Sequence, residues 1–284
     1  MLRGRDGFNS QKEVCGNTVS REKDAFQRRT AFQRKNGFPE KNCLPEKKRL
    51  SREGLPSAEN TSGRNTDRFR EKITLDKVSF GYREGQEVLH ELSFCFQAGK
   101  HYAVVGRSGC GKSTLLSLLL GYYPDYSGSI SYDSVELREL PRECLGNIVA
   151  YVSQDTFLFQ DTILNNITLF DEKYTLSEVE SAVEQAGLAE LVASLPEVLS
   201  TTAGENGRNF SGGERQRLSL ARALLRKSRV LLLDEFTANL DRETARKIEE
   251  RIMRPDDCLT ITVTHRLEPD MRPRYDGILN LEQA

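Results

Sequence analysis

Three glycines, a lysine and two serines fall within eight residues in Gly106-Arg107-Ser108-Gly109-Cys110-Gly111-Lys112-Ser113, followed by Thr114. Gly106, Gly109 and Gly111 let the backbone take conformations closed to other residues, so that successive N–H groups point inward at the oxygens of an anion. Lys112 adds a point charge for terminal phosphates, and Ser113 a hydroxyl ligand for Mg²⁺. The flanks suit this use. His101 to Val105 reads as a buried strand, and Thr114 to Leu120 continues into a helix whose N-terminal dipole favours the anion. This pattern predicts a phosphate cradle for a nucleoside triphosphate, with Mg²⁺ beside it.

A second group of reactive side chains follows an apolar run. Asp234 ends Val230-Leu-Leu-Leu233, where its carboxylate is expected to bind Mg²⁺ through water. Glu235, one residue on, points elsewhere and is placed to polarise an attacking water. Adjacent acids at a strand end also cap helices or sit in solvated turns, but here they follow four apolar residues and a phosphate loop. Upstream, Ser211-Gly212-Gly213 opens a helix running to Leu225. Ser before a helix is commonly a plain cap, yet the exposed N–H groups behind it could also face an anion.

The elements that must hold these residues in place read as an α/β fold. Ile73 to Phe80 alternates as a half-buried strand, and Val88 to Phe96 gives another, with Gly81 and Gly85 between them; together they suggest an antiparallel edge. Short strands over Ile148–Val152, Val230–Leu233 and Leu259–Val263 alternate with helical periods, the pattern of a mostly parallel sheet covered by helices. Val230–Leu233 is apolar on both faces, as a central strand requires. Between about 155 and 225 the spacing is helical: Thr162–Ile167, Leu176–Gly187 with a start near Ser177-Glu178, and Leu188–Ser194.

Charge divides the chain in two. Residues 1–72 carry 18 Lys and Arg against 10 Asp and Glu, net +8; from totals of 41 and 42 the remainder holds 23 against 32, net −9. Residues 1–70 have few aliphatics and isolated phenylalanines at Phe8, Phe26, Phe32 and Phe38, so they read as a disordered tail or linker ahead of one domain over 71–284. A basic arm for lipid or nucleic acid is the other reading. No stretch approaches the ~20 apolar residues that cross a bilayer, and no signal peptide is evident. Cys15, Cys43, Cys95, Cys110, Cys144 and Cys258 lack paired or metal-type spacing, which suits reduced thiols; with only His90, His101 and His265 present, no zinc site is expected. Cys110 stands at the helix start beside Lys112, where a bound nucleoside triphosphate is expected to slow its alkylation.

From Ile73 to Ala284 the chain resembles the ATP-binding cassette of ABC transporters, exporter type. The resemblance rests on the phosphate loop, on Gln154 as the Q-loop glutamine, and on Ser211-Gly212-Gly213-Glu214-Arg-Gln216 as the signature motif. It rests also on Val230–Glu235 as the Walker B strand, Ala238–Asp241 as the D-loop and His265 as the switch histidine. It implies a P-loop NTPase core with a helical subdomain, ATP and Mg²⁺ as cofactors, and ATP hydrolysis. Catalytic roles are implied for Glu235, His265 and Gln154, metal contacts for Ser113, Gln154 and Asp234, and nucleotide contacts for the loop Gly106–Thr114. Tyr82 would stack on adenine, although an aromatic at such a turn is often plain packing. Ser211, Gly212, Gly213, Glu214 and Asp241 would complete the site of a second cassette. The usual Leu-Ser-Gly-Gly-Gln reads Phe210-Ser-Gly-Gly-Glu214 here, and the usual Ser-Ala-Leu-Asp reads Ala238-Asn-Leu-Asp241.

Partners follow from the same resemblance: a second cassette and a transmembrane protein, with the chain held peripherally on the cytoplasmic face. Phe157, Leu158 and Phe159 would line a groove for a coupling helix of that protein, or belong to the core; Glu205 would touch the same helix. Exporters carry a membrane domain upstream on one chain, so the polar stretch here implies a separately encoded partner or a truncated product. A soluble ABC ATPase acting on nucleic acid or ribosomes is the alternative. Its chromosome type needs a long coiled coil between Gln154 and Ser211 and its translation type two cassettes, so no nucleic acid is expected.

Overall fold

The computed structural model describes residues 69–83, 85–253, 258–265 and 267–282. The expectations for a basic tail fall on residues that lie, apart from the last two, outside the described residues. Phe69 is 4% exposed and meets Tyr132 edge-on at 6.0 Å, so packing already includes it, two residues before the boundary expected at 71. The backbone N–H groups of Arg70, Glu71 and Lys72 all donate to the Asp133 carboxylate, which pins the entry to the first strand.

The antiparallel strands form a sheet of their own rather than an edge. β1 (Lys72–Arg83) and β2 (Gln86–Gln97) pair with two short strands that the sequence pattern did not announce, β4 (Ser127–Tyr132) and β5 (Val135–Glu136), in the order β2-β1-β4-β5. The second sheet is entirely parallel. Its strands are β3 (His101–Val105), β6 (Val149–Val152), β7 (Val230–Asp234), β8 (Leu259–Thr264) and β9 (Gly277–Asn280), ordered β6-β7-β8-β3-β9. Parallel neighbours need crossovers, and the helices supply them.

Among the described residues these helices are α1 (Lys112–Leu119), α2 (Arg142–Ile148), α3 (Ile163–Thr168), α4 (Leu176–Gln185), α5 (Ala189–Ser194), α6 (Gly212–Leu225) and α7 (Arg242–Ile252). Ile148, expected to open a strand, instead ends α2. α4 starts earlier than Ser177 suggested: Thr175 caps it, its hydroxyl accepting from Glu178 N while the Glu178 carboxylate accepts from Thr175 N.

Alternation along β7 joins the layers. Val230 and Leu232 face the core shared by α1 and the antiparallel sheet, while Leu231 and Leu233 face the core of the helical part, with Leu158, Ile163, Val179 and Leu218. Apolar residues on both faces are what a strand between two layers needs. α1 is anchored by Leu115, Leu116, Leu118 and Leu119, each at most 1% exposed. At about 1.5–3 kcal/mol per fully buried leucine, the helix holds the loop before it firmly against the sheet.

This sheet places the chemistry at one end. Gly106 follows β3, Gln154 lies just past β6, Asp234 ends β7 with Glu235 next to it, and His265 follows β8. All lie beyond the carboxyl ends of parallel strands, where open α/β sheets bind ligands.

Candidate functional site

Gly111 caps α1 with φ of 101°, and no side chain caps the helix, so its first N–H groups are left for a ligand. A Cβ at Gly111 would stand 2.8 Å from Leu89 Cδ2, so shape and φ both demand glycine. Lys112 is 5% exposed. Its ammonium donates to the carbonyls of Gly106 and Arg107, each at 2.8 Å, and lies 3.3 Å from His265 Nδ1. Three donors therefore meet three acceptors. Since Nδ1 accepts from the ammonium, the network assigns the imidazole proton to Nε2, which donates to Glu235 Oε1 at 2.6 Å.

Glu235 reaches that position by local strain: its φ is 48°, and its N–H bonds Val263 O at 3.1 Å across the ends of β7 and β8. A left-handed conformation outside glycine is uncommon, and from it the carboxylate meets the His265 imidazole. Asp234 is 5% exposed. Burial pushes its carboxyl pKa up; the Tyr151 hydroxyl opposes this, the Glu235 charge adds to it, and Ser113 and Lys112 favour the ionised form. Tyr151 donates to Oδ2 at 3.2 Å, while Oδ1 is buried and has no hydrogen-bond partner. Burial, then the Asp234 charge, pushes the Tyr151 phenol far above its ordinary value, so it remains a donor. A buried, unpartnered carboxylate oxygen near the Ser113 hydroxyl fits a hard divalent cation.

Tyr82 stands 55% exposed with its hydroxyl 3.0 Å from Thr114 Oγ1, its ring edge-on to Phe80 and Tyr123. Arg107, Ser108 and Gly109 are exposed, and Cys110 is half-buried beneath Gly106. Gln154 lies exposed in a bend beyond β6. Glu282 is an addition from the far end of the chain: its carboxylate accepts from Arg107 N at 2.7 Å, steadying the phosphate loop.

The motif at Ser211 is built as a capped helix start. Ser211 Oγ accepts from Glu214 N, and the Glu214 carboxylate accepts from Ser211 N at 2.6 Å, so Glu214 is engaged within its own helix. Gly213 is buried against Asn239 O and Leu240, whereas Gly212 is partly open. Gln216 reaches back to Glu235 O at 3.4 Å. Asp241 caps α7, accepting from Thr244 N at 2.9 Å. From the far side of α6, Arg222 donates to Asn166 O at 2.9 Å and to Phe157 O at 3.4 Å, and burial lowers its pKa to about 10. Of the three residues expected to line a groove, Leu158 is fully buried in the core, while Phe157 and Phe159 are half-buried. Leu158 thus belongs to the core, since its side chain fills the space beside Gly207. Glu205 is exposed.

Lys112, Ser113, Asp234, Glu235 and His265 are thus brought to one spot by three parallel strands. Tyr151 and Glu282 belong with them, and nothing in the local sequence pattern marked either. A parallel sheet with a phosphate loop after β3 and an acid pair after β7 is a P-loop nucleotide hydrolase. The family model described as ABC transporter matches residues 89–238, more than half of the chain, and the chain belongs to that family. It is 41% identical over 234 residues to the ATP-dependent lipid A-core flippase of Haemophilus ducreyi, covering 81% of this chain and 40% of the relative. Mouse ATP-binding cassette sub-family B member 6 is 40% identical over 197 residues, 69% of this chain and 23% of the relative. A solved bacterial Atm1-family ABC exporter with ATP bound superposes with a TM-score of 0.71 at 36% identity, over 81% of this chain and 39% of that one. The chain spans well under half the length of these proteins. Its fold is the ABC cassette, and the cassette is an ATPase that binds ATP.

Proposed function

We propose that the chain is the ATP-hydrolysing cassette of an ABC exporter, working in a pair with a second cassette at the cytoplasmic face of a membrane beneath a transmembrane partner. The contacts running from Lys112 through His265 to Glu235 are the observation that carries the hydrolytic part. The ammonium is held by two loop carbonyls and the Glu235 carboxylate by the imidazole. A γ-phosphate offers both donors a better, charged acceptor. Lys112 leaves the carbonyls for it, and the Nε2–H of His265 turns from Glu235 to a phosphate oxygen. Glu235 is then free to accept a proton from an attacking water. Ser113 and Oδ1 of Asp234 would hold Mg²⁺. When bound, the ion would neutralise negative charge on the phosphates.

The pairing part is supported by Gly212, which leaves backbone N–H groups at the start of α6 approachable by a phosphate. Coupling to a membrane partner is supported by Arg222, which ties that same helix to the segment from Phe157 to Asn166. Among the described residues no helix is long and apolar enough to cross a membrane. The test uses Glu235→Gln. Its amide oxygen still accepts from His265, but it cannot take a proton, so turnover should fall at least about a hundredfold while ATP and Mg²⁺ trap dimers visible by light scattering. Monomers that hydrolyse ATP independently of concentration, or stimulation by DNA or ribosomes, would overturn the reading.

A further inference from the structure

The two oxygens of Asp234 are used unequally, and the sheet register explains why. Tyr151 on β6 lies directly opposite Leu232 on β7. Leu232 and Asp234, two residues apart, share a face, the one that packs on α1, and Tyr151 packs against the same cluster. A long aromatic side chain reaches the diagonal neighbour two residues along the adjacent strand. The hydroxyl therefore arrives at Oδ2, 3.2 Å away, and Oδ1 is left buried with no partner. Packing alone does not call for this hydroxyl, because phenylalanine would fill the same space.

We propose that Tyr151 is a positioning residue for the cation: by holding Oδ2 it fixes the carboxylate rotamer and presents Oδ1 toward Ser113 and the phosphate loop. The proposal rests on the reading of Asp234 and Ser113 as the residues that hold Mg²⁺. It also gives β6 a share in cation binding, since the strand that carries Tyr151 leads within three residues to Gln154. Strand, carboxylate and cation then form one connected unit.

The test compares the full chain carrying Glu235→Gln with the same chain carrying Tyr151→Phe as well. Fluorescent N-methylanthraniloyl-ATP is held constant and Mg²⁺ is titrated. The Mg²⁺ concentration for half-maximal binding should rise about tenfold or more in the phenylalanine variant, the scale of one lost hydrogen bond to a charged group. Affinity in EDTA should stay unchanged, and the thermal midpoint should fall by no more than a few degrees, since volume is conserved and one hydrogen bond is lost. An unchanged Mg²⁺ requirement, or an equal loss of affinity in EDTA and in Mg²⁺, would reduce Tyr151 to a packing residue and overturn the proposal. If the chain with Tyr151 intact bound nucleotide equally with and without Mg²⁺, the cation reading would fall first, and the role of Tyr151 with it.

Discussion

Gly212 and Gly213 occupy the first two positions of α6 but face different neighbours, so alanine at each should separate folding from pairing. A Cβ at Gly213 would lie 2.7 Å from Asn239 O and 2.8 Å from Leu240 Cδ2. The leucine can rotate; the carbonyl moves only if the turn before α7 moves. Overpacking of this kind costs about 1–3 kcal/mol, against a helix-propensity gain of at most about 1 kcal/mol. Gly213→Ala should therefore lose about 1–2 kcal/mol of stability. At Gly212 the nearest atom to such a Cβ is Asn239 Cγ at 3.5 Å, an ordinary contact. Gly212→Ala should leave stability within about 0.5 kcal/mol of the parent. Its cost should appear only where a second cassette closes on it. A methyl group there holds the N–H groups away from the phosphate, and turnover at saturating ATP and Mg²⁺ should fall about tenfold or more, equivalent to about 1.4 kcal/mol in the transition state. Urea unfolding followed by circular dichroism and phosphate release measured on the same samples give the two numbers. Full activity of Gly212→Ala would refute close approach of a phosphate to α6, and destabilisation equal to that of Gly213→Ala would refute the assigned helix start.

Two further outcomes test the frame around the site. Leu158→Ala should cost about 2–5 kcal/mol because the side chain is fully buried, whereas Phe157→Ala, half-exposed, should cost less; the reverse order of urea midpoints would return Leu158 to the surface. At Glu136, burial pushes the carboxyl up, but the hydroxyls of Ser129 and Tyr126, the Ile130 N–H and Arg138 outweigh it and hold the pKa below its ordinary 4.5. The stability it contributes is full above that ordinary value and is lost as pH falls through the lower folded value. Glu136→Gln should therefore lower the urea midpoint near pH 7 and approach the parent as pH falls below the ordinary 4.5 and through the lower folded value. A gap that widened in acid would contradict the sign.

Readable features of the sequence were those whose cause is local. The phosphate loop depends on glycines whose conformations are needed within a few residues, and Val230–Leu233 is a short run greasy on both faces; both were recognisable without the fold. Ser211 before two glycines also announced a helix start, and the structure gave that start a full capping box with Glu214. Weaker local signals misled. Ser177 looked like the start of α4, but Thr175 carries the reciprocal bonds with Glu178. β5 and β9 are too short, at two and four residues, to show a period, and β4 holds Ile130 and two polar serines on its flanks. Leu158 sits between two phenylalanines of similar hydrophobicity, so sequence could not say which of the three turned inward.

Contacts between distant residues were decided only by tertiary structure. Glu235 and His265 follow separate strands, and Tyr151 meets Asp234 across 83 residues of chain. Which carboxylate oxygen stays unpartnered depends on strand order and on a register that aligns Tyr151 with Leu232. By itself the amino-acid sequence determined the phosphate loop, the acid pair and the layers that carry them, because backbone preference and apolar periodicity act between near neighbours. The pairing of His265 with Glu235, the inward turn of Leu158 and the hold of Tyr151 on Asp234 were left to the folded sheet, because each depends on how strands stack and none on what stands next in the chain.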